Sequence, residues 1–523
     1  MMRARRIGCA LAVSVMFGAV AARVAPLGAA ATGVGCTVAA VQTKAPKGTT
    51  ITGAAVVAAS GDVPQYCRVD GHVATPGNEV NIRLGLPTAW NGKYYFVGVG
   101  GLGGSIGNLN AGLTRGYASA STDTGHESSD PNWGANRAKE IDYGHRGTHV
   151  TAVAGRALTS AFFGKEPNHS YFNGCSNGGR QALMEVQRYP QDFDGIIAGD
   201  PATGTPMQVG RALVFQHMLL HPENYLPIAK VELLSKATVA ECDAKDGLKD
   251  GLITDPRLCA FKPETLKCPG SDVADGPDCL TAAQVSTVAR IYSPLKTADG
   301  KVYTSGFPMG HEGGSTGWQA WILGRTPPTP QADGTLGFGE QVPSGYNLAE
   351  ANMRFLALEN DEPAFNWKTM RFPQDLPRLA SMTEILSPWD PNLTPYKRRG
   401  GKIIMYHGWS DPAISAYGTL DYYDKMTTLV GGQKEADAFS RLYFVPGMHH
   451  CGGGPGPNQF DMLTELENWI EKGKAPAAVV ASHAVDNKID RTRPLCPHPL
   501  VAKYSGSGSI DDAASFRCEL ASR

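Results

Sequence analysis

The stretch "YFNGCSNGGR", Tyr171–Arg180, places a serine between glycines where a predicted strand meets a predicted helix. Residues Gly174 to Gly178 fit the pattern G-x-S-x-G, whose glycines let the chain turn sharply and raise the serine above a sheet. The pattern alone is weak in a chain with 62 glycines, but the flanking strand and helix strengthen it. We therefore predict that Ser176 is a nucleophile. The alternative is a solvated serine in an ordinary glycine-rich turn.

Strand and helix patterns alternate on both sides of this turn, which predicts a mostly parallel α/β sheet with helices on both faces. The predicted strands are 80–87, 93–101, 117–125, 170–174, 194–199, 401–411 and 441–447. The predicted helices are 148–164, 180–189, 418–430 and 460–473.

The alternation stops near residue 206 and resumes near residue 396. Clusters of cysteine, glycine, proline and tryptophan replace it, including Trp318, Trp321, Trp367 and Trp389. We predict one catalytic domain, formed by residues 31–205 and 396–523, and a lid domain, residues 206–395, inserted into it.

Residues 1–30 contain three arginines near the start, then an apolar run, then small residues. This order predicts a signal peptide and a secreted or periplasmic protein; the alternative is an N-terminal core helix. No later run reaches the roughly 18 apolar residues of a membrane span, so we expect no membrane association of the mature form. The formal net charge of −1 gives no basic surface for nucleic acid.

Eleven cysteines are present, and loss of Cys9 with the signal peptide leaves an even ten. In an oxidising compartment this number suggests five disulfides. Cys175 and Cys451 have no close neighbour in sequence and remain as the fifth pair, unless they are two unrelated buried cysteines. The four local pairs expected are Cys36–Cys67, Cys242–Cys259, Cys268–Cys279 and Cys496–Cys518.

A nucleophilic serine needs a histidine base and an acid that orients it, and in this architecture they follow in the order Ser, Asp/Glu, His. Asp411 ends the strand 401–411, and His450 follows the strand 441–447. Asp200, after the strand 194–199, is the competing acid.

His449 and His450 compete for the role of base, whereas His407 is expected to be a packed residue at a strand end. A disulfide between Cys175 and Cys451 would join the neighbour of Ser176 to the neighbour of His450. This pairing favours His450.

The motifs "GCSNGGR", "STDTGH", "DGIIAGDPA", "HGWSDP" and "PGMHHC" together resemble the tannase/feruloyl esterase family, which includes mono(2-hydroxyethyl) terephthalate hydrolase-like enzymes. The resemblance extends over the whole mature chain. It implies an α/β-hydrolase fold with a large lid and a triad of Ser176, Asp411 and His450. The oxyanion donors would be the backbone N–H groups of Asn177 and, in the turn "VGVGGLGG", Gly101.

The segment "CDAKDGLKDGLITDP", 242–256, is rich in aspartate. From the residues alone a solvated acidic loop and a metal site are equally plausible, and the spacing is not that of an EF-hand. The resemblance implies a structural calcium ion held by the side chains of Asp243, Asp246 and Asp250 and the backbone oxygens of Leu248 and Leu252. No organic cofactor is expected.

The expected function is hydrolysis of small esters of aromatic acids through an acyl-enzyme, with feruloyl esters preferred. Galloyl esters and terephthalate monoesters are the alternatives. A peptidase, a thioesterase and a non-catalytic binding module of the same fold are the other classes considered. In the lid, Phe365, Trp367, Phe372 and Arg371 are candidate substrate contacts, unless they form the core of the lid itself.

Overall fold

The structure is a computed structural model that describes residues 35–270, 276–360, 362 and 365–521. The predicted signal peptide, 1–30, lies outside the described residues. The strands are β1 (Thr49–Val57), β2 (Tyr66–Thr75), β3 (Asn78–Pro87), β4 (Lys93–Val97), β5 (Ala118–Thr122), β6 (His169–Cys175), β7 (Gly195–Gly199), β8 (Leu295–Lys296), β9 (Val302–Thr304), β10 (Thr329–Pro330), β11 (Leu336–Gly337), β12 (Lys402–Gly408), β13 (Ser440–Val445), β14 (Val479–Val485), β15 (Lys488–Leu495), β16 (Leu500–Tyr504) and β17 (Phe516–Leu520).

The helices are α1 (Val38–Gln42), α2 (Asn110–Leu113), α3 (Arg137–Ile141), α4 (Gly147–Phe163), α5 (Asn177–Arg188), α6 (Thr205–Leu219), α7 (Ile228–Cys242), α8 (Ala282–Tyr292), α9 (Ser344–Ala351), α10 (Ala380–Leu386), α11 (Thr394–Arg398), α12 (Ala416–Leu429), α13 (Gln433–Asp437) and α14 (Met462–Lys472). Among the described residues, none of these helices is long and apolar enough to cross a membrane.

A nine-stranded mixed sheet organises the molecule, in the order β1-β2-β3-β5-β4-β6-β7-β12-β13. The strands from β5 to β13 run parallel, and β1, β2 and β3 extend the sheet as an antiparallel meander. The strand and helix alternation predicted such a mostly parallel sheet, and the arrangement is that of the α/β-hydrolase fold, which the family resemblance implied.

Helices cover both faces of the sheet. On one face, α4, α5 and α12 contribute buried residues such as Leu158, Leu183 and Tyr423 to the largest hydrophobic cluster. On the other face, Leu466 and Trp469 of α14 pack on the sheet with Tyr171. With both faces covered, the loops at the strand ends are left to build a site.

The register of the parallel strands aligns their carboxyl ends. Cys175 at the end of β6 is paired with Gly199 of β7, and Gly199 is paired with Tyr406 of β12. Gly408 at the end of β12 is paired with Val445 of β13. Because parallel strands end at one edge, the segments that follow β6, β7, β12 and β13 meet there.

The chain between the neighbouring strands β7 and β12 leaves the sheet and forms a separate hydrophobic cluster. Its main helices, α6, α7 and α8, were not predicted from the sequence. In α6 the polar residues Gln208 and Arg211 are buried together with the apolar ones, so no polar face marks the helix. The spacing of polar and apolar residues therefore does not indicate a helix at α6.

Candidate active site

Ser176 lies at the turn between β6 and α5 in a disfavoured backbone conformation. Its φ is 65° and its ψ is −122°. The turn is too tight for a side chain at position 174, since a Cβ on Gly174 would lie 2.5 Å from the carbonyl oxygen of Gly178. The N–H of Ser176 donates to the carbonyl of Gly199 at 3.0 Å, which fixes the turn to β7. Such strain is typical of a serine raised above a sheet as a nucleophile.

Asp411 and His450 are hydrogen-bonded. The Nδ1 of His450 lies 2.8 Å from Oδ2 of Asp411, and Oδ1 of Asp411 accepts from the N–H groups of Ala413 and Ile414 at 2.7 and 3.0 Å. Burial alone would raise the pKa of Asp411, but His450 and His407 hold that pKa well below its usual range. The carboxylate is therefore charged and orients the imidazole, leaving Nε2 to act on a proton.

The five disulfides expected from the sequence are present in the structure. The bond between Cys175 and Cys451 holds their Cα atoms 6.0 Å apart across 276 residues of sequence. It joins the residue before Ser176 to the residue after His450. This bond limits how far the serine turn and the histidine loop can separate.

Asp200, the competing acid, binds backbone rather than the imidazole of His450. Its Oδ2 accepts from the N–H of Cys451 at 2.6 Å, and its Oδ1 accepts from the N–H of Gly408 at 2.8 Å. Burial raises its pKa to about 6. Asp200 thus connects the ends of β7 and β12 to the loop that carries His450.

His407 lies between the two buried carboxylates. Its Nε2 is 3.7 Å from Asp200 Oδ1 and 3.3 Å from Asp411 Oδ2, and its Nδ1 is 2.7 Å from the hydroxyl of Thr419. It is a fully buried residue of β12, as expected from the sequence.

The two adjacent histidines have different partners. His449 is buried, with Nδ1 2.7 Å from the hydroxyl of Thr316 and Nε2 donating to the carbonyl of His311 at 2.8 Å. Both nitrogens of His449 are therefore engaged by the inserted segment. The geometry leaves His450 as the candidate base, whereas His449 attaches its loop to the inserted segment through Thr316 and His311.

The glycine-rich turn after β4 is fastened to α5 by two side chains. The Nδ2 of Asn177 donates to the carbonyl of Val99, and the N–H of Val99 donates to Oε1 of Gln181, both at 2.9 Å. Gly101, with φ 61°, lies in the same turn. These bonds hold the backbone of the candidate oxyanion donors Asn177 and Gly101 in place. The role of Gln181 was not predicted from the sequence.

A cavity of about 870 Å³ lies between the inserted segment and the sheet domain. Trp321 lines it, and the Trp321 ring also contacts the ring of His450 edge-on, with centroids 4.7 Å apart. Met207, Phe307 and Pro412 are among its other walls. The cavity thus borders on the candidate base through one aromatic side chain.

The four predicted substrate contacts have their described interactions within the segment between β7 and β12. Trp367 is buried in the lid core, with its ring 5.7 Å from that of Tyr346. Phe365 and Phe372 pack against the same core, and exposed Arg371 pairs with Asp375. These contacts match the alternative interpretation, in which the residues form the core and surface of the lid. It is Trp321, not singled out from the sequence, that contacts His450.

The aspartate-rich loop is closed by the Cys242–Cys259 disulfide. Asp243 is buried and accepts from the N–H groups of Asp250 and Gly251, while Asp246 accepts from the N–H of Leu248. Burial raises the pKa of Asp246, and the charge of Asp250 raises it further.

Asp250 also has a cationic partner outside the loop. Its Oδ2 lies 2.5 Å from Nη2 of Arg493. Part-buried carboxylates that repel one another are suitable ligands for a hard divalent cation. Arg493 already neutralises one of them, Asp250.

Comparisons with known proteins give a consistent result. The sequence model of the family described as "Tannase and feruloyl esterase" matches residues 67–519. Mono(2-hydroxyethyl) terephthalate hydrolase of Piscinibacter sakaiensis is 32% identical, over 89% of this chain and 86% of the relative. Feruloyl esterase B of Aspergillus niger is 30% identical over 86% of each chain. The crystal structure of feruloyl esterase B from Aspergillus oryzae superposes with a TM-score of 0.80 at 26% identity, over 91% of this chain and 97% of that one.

Proposed function

The chain belongs to the tannase and feruloyl esterase family, and we propose that it is a secreted serine carboxylic ester hydrolase acting on esters of aromatic acids. The observation that carries the proposal is the position of His450. It is bonded to Asp411 and tied through the Cys175–Cys451 disulfide to the strained turn of Ser176. Secretion is proposed from the basic, apolar and small-residue order of residues 1–30 and from the five disulfides.

In the proposed reaction, Nε2 of His450 takes the proton of the Ser176 hydroxyl as its oxygen attacks the ester carbonyl. The N–H groups of Asn177 and Gly101 bind the resulting oxyanion. The alcohol departs with the proton from His450, which leaves the acid esterified to Ser176. Water, deprotonated by His450, then releases the acid and restores the serine.

The cavity lined by Trp321, whose ring contacts His450, supports an aromatic acid as the acyl group. Its walls combine the Trp321 ring with Met207 and Phe307, and a planar ring gains most from packing against such surfaces. A volume of about 870 Å³ lies within the usual range for small-molecule sites. We place a hydroxycinnamoyl group first and a galloyl group second.

A terephthalate monoester is the third candidate, and Arg211 is the observation that favours it. A free carboxylate on the ring needs a cation, and Arg211 lines the cavity with its guanidinium 6.0 Å from the Trp321 ring centroid. Burial lowers the pKa of Arg211 to about 10, which leaves it charged at neutral pH.

We also propose a structural calcium ion in the loop 242–259, held by Asp243, Asp246 and Asp250 with the backbone oxygens of Leu248 and Leu252. A bound divalent cation would offset the mutual repulsion of the three carboxylates. The loop would then stiffen the inserted segment, with no part in the chemistry.

A panel of esters tests the proposal: methyl ferulate, methyl gallate, mono(2-hydroxyethyl) terephthalate and an aliphatic methyl ester of similar size. We expect kcat/KM on at least one aromatic ester to exceed that on the aliphatic ester, and Ser176→Ala to abolish all activity. A preference for the aliphatic ester would refute the aromatic assignment but leave the triad intact.

Two matched tryptophan variants locate the acyl site. Trp321→Phe should lower kcat/KM on the preferred aromatic ester several-fold relative to the aliphatic one. Trp318→Phe, in the lid core beside Tyr292, should lower the melting temperature without changing that ratio. If the ratio of aromatic to aliphatic kcat/KM were the same in both variants, the acyl group would not bind against Trp321.

A further inference from the structure

A second cluster of ionisable side chains lies apart from the triad, where α4, α5 and the turn before β7 meet. It consists of His149 on α4, Glu185 on α5 and Asp192 in the turn. One potential ligand atom from each of the three lies within 4.8 Å of the others. The proposed ester hydrolysis uses none of them.

The geometry of the cluster is fixed by packing. The Nδ1 of His149 lies 2.6 Å from Oδ2 of Asp192, and the imidazole stacks on the ring of Tyr189 with centroids 3.8 Å apart. The His149 side chain is 31% exposed, so the cluster can be reached from solvent.

Glu185 is the unusual member, because it is completely buried and neither carboxylate oxygen accepts from an N–H or hydroxyl group among the described residues. Its polar neighbour is the Asp192 carboxylate. The hydroxyl of Tyr94, which interacts electrostatically with Glu185 and Asp192, is also buried without a partner in that part of the chain. A buried carboxylate without a donor destabilises the folded state strongly if it stays charged.

The charges at the cluster are not balanced. Burial raises the pKa of Glu185, and the negative charge of Asp192 raises it further. The guanidinium of Arg156 bonds to the backbone carbonyl of Asp192, at 3.3 Å, rather than to a carboxylate of the cluster. Two arrangements would remove the imbalance: one proton shared by Glu185 and Asp192, or a cation between them.

We propose that His149, Glu185 and Asp192 bind a divalent transition-metal ion such as Zn²⁺. One imidazole nitrogen and two carboxylates form a ligand set that zinc accepts, whereas calcium takes oxygen ligands almost exclusively. The Glu185 carboxylate provides the buried ligand, and half-buried His149 lies at the entrance. The ion would cross-link α4 to α5, the helix that begins beside Ser176, and its role would be structural.

Zinc binding to the metal-free full-length protein tests this proposal. Calcium is supplied to occupy the loop 242–259, Zn²⁺ is titrated, and bound zinc is counted by elemental analysis after gel filtration. We expect one zinc per wild-type chain, and at least a tenfold weaker affinity in both Glu185→Gln and His149→Gln. His145→Gln is the matched control, because His145 bonds to the hydroxyl of Tyr189 outside the cluster and should bind zinc like the wild type.

Thermal melting separates the metal from the shared proton. If the cluster binds zinc, adding zinc should raise the melting temperature of the wild type and of His145→Gln but not that of His149→Gln. An absence of zinc binding by the wild type overturns the proposal. So does wild-type zinc affinity in His149→Gln. If Glu185→Gln melts higher than a wild type that takes no zinc, the shared proton is correct.

Discussion

Cys175 and Cys451 form a disulfide that joins the residue before the candidate nucleophile to the residue after the candidate base. The bond therefore constrains the two loops whose side chains must meet for catalysis. It also closes 276 residues of sequence, so that the chain-entropy model assigns it about 5 kcal/mol of stabilisation.

Removing this disulfide should affect activity as well as stability. We expect Cys175→Ala/Cys451→Ala to lose about 2–5 kcal/mol in free energy of unfolding and to lower kcat more than it raises KM, because the Ser–His geometry loosens. Denaturant titration and steady-state kinetics measure the two effects. Cys496→Ala/Cys518→Ala, near the C-terminus, should be less stable with unchanged kcat. Equal kcat in the two double variants would mean that the 175–451 bond is only structural.

The adjacent histidines allow a direct comparison. His450→Ala should lower kcat by several orders of magnitude without unfolding the protein, because it removes the base that takes the proton of Ser176. His449→Ala should retain most of kcat but melt lower, since it loses bonds to Thr316 and His311 of the inserted segment. An inactive His449→Ala beside an active His450→Ala would reverse the assignment.

Acid should destabilise the protein through its buried histidines, of which His126 is the clearest. It stacks on Trp133 with ring centroids 3.7 Å apart, and burial lowers its pKa from 6.5 to about 4. Below pH 6.5 the unfolded chain binds a proton at this position that the folded chain does not bind until about pH 4. The unfolding free energy therefore falls as the pH drops from 6.5 towards 4.

Comparison of wild type and His126→Gln at pH 7 and pH 4.5 isolates this contribution. The decrease in unfolding free energy from pH 7 to pH 4.5 should be smaller in the variant by about 2 kcal/mol. The remaining loss comes from groups such as His311 and His498, whose pKa values burial also lowers to about 4. An identical loss in both proteins would show that His126 is protonated when folded.

Chelation should lower the melting temperature before it affects catalysis, because a metal that binds only the folded state stabilises it by mass action. Asp246→Asn should melt lower with calcium present and show little further shift with chelator. Asp333→Asn, at an exposed turn, is the control and should behave like the wild type. No shift on chelation of calcium-loaded wild type would mean that the aspartate loop is only solvated.

The sheet domain was predictable because its elements carry clear periodic patterns and sharp ends. The helix expected at 148–164 is observed as α4, Gly147–Phe163, and the one expected at 180–189 is α5, Asn177–Arg188, which ends before Pro190. The antiparallel strands β1 and β2 were not predicted. They precede the alternating strands and helices and belong to no βαβ unit, so that pattern did not indicate them.

The site was predictable only in part. The order Ser176, Asp411, His450 follows from strand ends, and the cysteine count indicates the disulfide that brings the first and last together. The contact between Trp321 and His450 could not be predicted, because Trp321 and Trp367 lie in the same segment without periodicity. Only packing puts Trp321 against the base and Trp367 in the lid core.

The most direct test of the central claim is rapid-quench mass spectrometry of the enzyme during turnover of methyl ferulate, or of the aromatic ester that the panel identifies as preferred. We expect the aromatic acyl group to be recovered on the Ser176-containing peptide of the wild type, and to be absent from the corresponding peptide of Ser176→Ala and strongly reduced in His450→Ala, which lacks the base for the first step. An acyl group on a different residue, or turnover by Ser176→Ala with no covalent intermediate in the wild type, would contradict it.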